Sequence, residues 1–62
     1  MKNKRVRKAM LDEALTQAEL AEILGLSTGE TSTMLKYELA PEEQRRIVEE
    51  IKAWAAAQEE GA

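Results

Sequence analysis

Hydroxyl groups crowd one short stretch of this chain. Ser27-Thr28-Gly29-Glu30-Thr31-Ser32-Thr33 carries five hydroxyls in seven residues, and Gln17 lies a short way upstream. A hydroxyl becomes a nucleophile only beside a base that can take its proton. The chain has no histidine and no cysteine. No nucleophile–base pair, metal cluster or phosphate-cradling loop can be assembled from its residues, so neither an enzyme nor a cofactor nor a metal is expected. The chemistry that remains is recognition, in which hydroxyls, an amide and threonine methyls read the edges of another molecule.

The elements that position these groups follow from two capping signals. Thr16-Gln17-Ala18-Glu19 and Ser27-Thr28-Gly29-Glu30 both have the form Ser/Thr-x-x-Glu. In this box the hydroxyl accepts from the N–H three residues on, and the glutamate reaches back to the N–H of the cap. Each cap is worth about 1 kcal/mol. Gly25 lies between them, so the pattern predicts a helix over 17–24, a sharp corner and a second helix over 28–38. Upstream, Val6, Met10, Leu11 and Ala14 recur at helical spacing and predict a helix over about 4–14, with Lys4, Arg5 and Lys8 outside the stripe. Leu15 and Leu20 occupy the two positions of a hydrophobic staple around Thr16. Pro41, followed by Glu42 and Glu43, marks a helix start suited to the positive end of the dipole. That helix runs to about 58, with Ile47, Val48, Ile51, Trp54 and Ala55 on its apolar face, and Gly61-Ala62 frays. The expected fold is all-α, a compact four-helix domain over 1–62. Trp54, in a chain without phenylalanine, is expected to fill the core, with a self-association patch as the alternative.

Two short capped helices around a tight turn make a helix-turn-helix, whose second helix enters the DNA major groove. The segment Leu15–Lys36 resembles that unit in the phage-repressor class of DNA-binding domains. Gln17 opens the first helix, Leu20-Ala21 face inward, Leu24-Gly25-Leu26 make the turn, Ser27 caps the recognition helix, and Met34-Leu35 return to the core. Ala21 and Gly25 are read as small because the helices cross closely. The family usually places an aliphatic residue where this chain has Thr31. The resemblance implies that Gln17 braces a phosphate or a base contact. The near-ideal caps and the alternating Glu/Arg surface of the last helix also resemble a de novo designed helix-turn-helix protein, with a trimmed natural repressor domain as the alternative.

The recognition helix divides into two sides at about 100° per residue. Thr28, Gly29, Ser32, Thr33 and Lys36 fall together. Thr31, Met34, Leu35 and Glu38 fall opposite, on the side that Met34 and Leu35 mark as buried. The first side is small, hydroxylated and nearly uncharged, which lets the helix axis approach a groove about 12 Å wide. Thr28 and Thr33 can offer a hydroxyl to a base and a methyl to thymine, Ser32 can donate to a base or phosphate, and Gly29 gives clearance. Gln17 is the one neighbouring residue capable of a bidentate contact with adenine. Base contacts are therefore expected from Gln17, Thr28, Gly29, Ser32 and Thr33. Phosphate contacts are expected from Thr16, Ser27, Lys36, Tyr37, Lys2, Lys4 and Arg5, with a partly buried spacer as the other reading of Tyr37. Glu30 is explained by its capping box. Arg45 and Arg46 are explained by four-residue pairing with Glu49, Glu42 and Glu50.

Charge supports the assignment only through its distribution. The 62 residues carry a net charge of −3, which by itself disfavours nucleic acid. Five of the nine cations are Lys2, Lys4, Arg5, Arg7 and Lys8, with no acid among the first eleven residues. Four cations against twelve acids leave the remainder at −8, so a basic patch at one end is expected. A chain this short buries only about 60% of its unfolded surface, and no cysteine can staple it. No apolar run approaches a membrane span or a signal peptide. The expected partner is double-stranded DNA, bound by a monomer rather than a dimer in the cytoplasm or on the nucleoid, with no membrane and no small-molecule substrate. The alternative is a small helical protein–protein interaction module.

Overall fold

The computed structural model describes residues 2–61, with side chains described over 2–59. Ala62 lies outside the described residues. Four helices follow in order: α1 (Lys4–Asp12), α2 (Gln17–Leu24), α3 (Thr28–Leu35) and α4 (Pro41–Gly61). α4 has 21 residues, about 32 Å at ~1.5 Å per residue, and nearly spans the 35 Å long dimension of the molecule. α1 and α2 pack against it, and α3 packs against α2. The interior is Val6, Ala9, Met10, Leu20, Leu35, Ile47 and Ile51, with Leu15, Leu24, Met34, Leu39 and Val48 packed around them. The domain is all-helical, as the periodicity implies.

Several expectations are corrected. α1 stops at Asp12 rather than Ala14. Ala14 N–H donates to Leu11 O and Leu15 N–H to Met10 O, with Ala14 at φ 54°, which is the double hydrogen-bonded helix ending usually built on glycine. A left-handed alanine costs roughly 1–2 kcal/mol and gives no sequence signal. The buried face of α1 is Val6, Ala9 and Met10, while Leu11 is 78% exposed because it lies about 100° beyond Met10. Ala14, outside the helix, is exposed.

α3 ends at Leu35 rather than 38, so Glu38 belongs to the loop that follows. Trp54 is half-buried and outside the core cluster, so it does not fill the interior. Ile47 and Ile51 occupy that space, and α4 continues well past the nine residues of α1 and the eight of α2. At the far end α4 runs on through Gly61.

Candidate nucleic-acid interface

Both capping boxes form. Glu19 N–H donates to Thr16 Oγ1 at 3.1 Å, and Thr16 N–H donates to Glu19 Oε1 at 3.0 Å. Glu30 N–H donates to Ser27 Oγ at 3.1 Å, and Ser27 N–H donates to Glu30 Oε1 at 3.0 Å. The backbone N–H of Ser27, and then its hydroxyl, hold the Glu30 carboxyl below its ordinary range against slight desolvation. That small stabilisation is present above the unfolded-state value and is lost as pH falls through the folded one.

Between the helices, Gly25 adopts φ +71°, and a Cβ there would meet nothing within 4 Å. Glycine is therefore required by the left-handed ending of α2, not by close helix crossing. Gly25 N–H donates to Glu22 O and Leu26 N–H to Ala21 O. Ala21 is buried in α2, the helix that packs on both α3 and α4.

The outer side of α3 is free as the helical projection implies, except at Ser32. Thr28, Gly29, Thr33 and Lys36 are exposed, Ser32 and Met34 are half-buried, and Thr31 and Leu35 are buried. Gln17 is exposed in the first turn of α2. At the start of α3 the amides of Ser27, Glu30 and Thr31 are bonded, so Thr28 and Gly29 supply the free N–H groups of that terminus. Thr16 is less available than Ser27, because its hydroxyl also donates to Glu19 Oε1 at 3.2 Å.

The cations separate. Lys2 and Lys36 meet at the exit of α3, where Lys2 Nζ donates to Lys36 O at 2.9 Å. Tyr37 beside them is 67% exposed and is not a buried spacer. Lys4 is exposed on the first turn of α1. Arg5 instead lines the groove between α1 and α4 with Lys8, Arg45, Glu49 and Lys52. Arg46 pairs with Glu43 at 3.7 Å on the exposed surface, a contact worth little.

Thr31 is fully buried and its hydroxyl has no partner among the described residues. An unpaired buried hydroxyl costs about 1–3 kcal/mol. Thr31→Val, which keeps the shape and removes the hydroxyl, is expected to raise stability by roughly 1 kcal/mol. Urea unfolding would check it, and a lower midpoint would mean that the hydroxyl is satisfied in solution.

Sequence reasoning missed two residues here. Asn3 is fully buried and joins the start of the chain to the loop after α3, through bonds too distant in sequence to leave a local pattern. Gln44 is also buried and did carry a signal, because it precedes Ile47, Val48 and Ile51 at helical spacing. No protein family, curated protein or solved structure matches the chain.

Proposed function

We propose that the protein binds double-stranded DNA sequence-specifically, as a monomer, with α3 in the major groove. The observation that carries this reading is the outer side of α3. It is hydroxylated, exposed at Thr28, Gly29 and Thr33 and half-buried at Ser32, and free of bulky side chains up to Lys36, on the second of two capped helices joined by a tight turn. A helix surface that is only solvated has no need to be free of long side chains, and the outer surface of α4 is lined with glutamate and arginine. Transcriptional regulation follows as the use of such a domain. The complete capping boxes and the Glu/Arg patterning of α4 support reading the chain as a designed helix-turn-helix protein.

A protein-interaction module is favoured by one observation, the exposure of Leu11 beside Met10 and Leu15. That patch lies on α1 and the turn after it, and includes no residue of α3. No described helix is long and apolar enough to cross a membrane.

Duplex titration across a salt series tests the reading. Affinity is expected to fall linearly on a log–log plot, by about 0.9 units per neutralised phosphate, and selection from a random duplex library should return one motif. No salt-dependent binding would overturn it. Changing Lys4 to alanine is expected to weaken all duplexes alike and to flatten the slope by about one unit, while Arg5→Ala, in the groove between α1 and α4, should leave it unchanged. An unchanged slope in Lys4→Ala would place that residue away from the DNA.

A further inference from the structure

Asn3 precedes α1 at the N-cap position, where an asparagine side chain ordinarily accepts from its own helix. Here it makes no such bond, and its backbone is left-handed at φ 57°, ψ 46°. The side chain is spent instead on the end of α3 and the loop that follows it. Its Nδ2 donates to Leu35 O at 3.3 Å and to Tyr37 O at 2.9 Å, while its Oδ1 accepts from Leu39 N–H at 2.8 Å. Its backbone N–H donates to Glu38 Oε1 at 3.1 Å, and the other Glu38 oxygen accepts from Gln44 Nε2 at 2.6 Å. Gln44 Nε2 also donates to Leu39 O at 3.0 Å. One buried asparagine therefore ties the chain before α1, the last carbonyl of α3 and, through Glu38, the first turns of α4.

The two carbonyls that Asn3 holds belong to the residues on either side of Lys36. The residue before Asn3 is Lys2, whose ammonium rests on the Lys36 carbonyl. The Lys2 ammonium and the backbone that carries the exposed Lys36 are thus brought together at one end of α3, beside the exposed Tyr37. The arrangement has a local cost. α1 has no side-chain cap and no acid in its first turn, and Lys4 and Arg5 stand at the positive end of its dipole, where cations are disfavoured. Local rules broken without local compensation mark functional or strained positions.

We propose that Asn3 is a positioning residue for DNA binding, fixing Lys2 and Lys36 as a paired phosphate contact flanking the groove-reading face of α3. The inference rests on the duplex-binding reading. Asn3 itself is fully buried and touches no DNA.

Asn3→Gly separates the roles, because glycine keeps the left-handed backbone and removes every side-chain bond. For the folded variant, the log–log salt slope is expected to flatten by about two units, one per lost phosphate contact, while the selected motif stays the same. Adding Lys2→Ala to Asn3→Gly should change the slope no further. A purely structural role would lower affinity equally at every salt concentration, and a wild-type slope in the folded variant overturns the proposal. So does a further loss from Lys2→Ala in that background.

If circular dichroism shows Asn3→Gly unfolded, Lys2→Met carries the test, since it leaves the asparagine bonds in place. Its slope should flatten by about one unit with the amide resonances of residues 35–39 unmoved, and an unchanged slope overturns the proposal. Wild-type protein without salt-dependent binding removes the duplex reading and this inference together. Normal wild-type binding with unaltered variants removes only the role of Asn3.

Discussion

Leu20→Ala is expected to leave the protein largely unfolded at 25 °C. Leu20 is fully buried in the helix that packs against both α3 and α4, in a core against which Leu15 also packs. Truncating a buried leucine costs about 2–5 kcal/mol, and a single core of this size rarely supplies more than about 3–5 kcal/mol. Far-ultraviolet circular dichroism across a urea series would show the loss as a shifted or missing transition. Leu11→Ala is the matching control. At 78% exposure it should change stability by no more than about 0.5 kcal/mol. A Leu20→Ala transition at the wild-type midpoint would mean that α2 does not dock on the core through this residue.

The contrast between these two leucines shows which features the sequence encodes locally. Both occur at helical spacing with other apolar residues. Leu20 is placed correctly because Thr16, Glu19 and Gly25 fix where α2 starts and stops, and so fix which face turns inward. α1 has no equivalent signals. Its N-cap asparagine is engaged elsewhere, its ending is built on Ala14 rather than glycine, and its buried face is rotated to include Ala9 in place of Leu11. An alanine weighs too little in a periodicity argument to displace a leucine.

The same division holds at the proposed site. The hydroxylated side of α3 follows from Ser27, Met34 and Leu35 alone, since a capped helix with two apolar residues has its orientation determined. The exit of α3 does not. Nothing between Leu35 and Leu39 ends a helix by composition. The exit is held by Asn3, which bonds Leu35 O, Tyr37 O and Leu39 N–H, groups that a continuing helix would keep for itself, while Glu38 accepts from Asn3 N–H. Those bonds span 32 to 36 residues, and no window of sequence contains both partners. The placing of Lys2 beside Lys36 was illegible for the same reason. Both were identifiable as cations, but only the tertiary structure shows them as neighbours.

Loss of a single thymine methyl from the bound site is the other large effect expected. α3 carries no arginine, asparagine or glutamine, so it lacks the side chains that read guanine and adenine bidentately. Asn3, bonded to the end of α3, is buried, so Gln17 at the start of α2 is the exposed amide of the two-helix unit. The remaining information must come from hydroxyls, methyls and close approach, and Thr28 and Thr33 are the exposed threonines of the helix. A recognised core of about 4–6 base pairs is expected, with at least one thymine methyl in contact with a threonine methyl. Replacing that thymine by uracil removes only the methyl. The loss of affinity should be a measurable fraction of the ~1–3 kcal/mol typical of a mismatched pair. Thr28→Ser and Thr33→Ser make the complementary deletion on the protein, and one of them should erase the preference for thymine over uracil at that same position. Both exchanges are on an exposed surface, where stability should change by less than about 0.5 kcal/mol, so altered preference would not reflect unfolding. If both variants retain the wild-type preference at every position, the hydroxylated side of α3 is not the reading surface, and the apolar patch around Leu11 becomes the stronger candidate for binding.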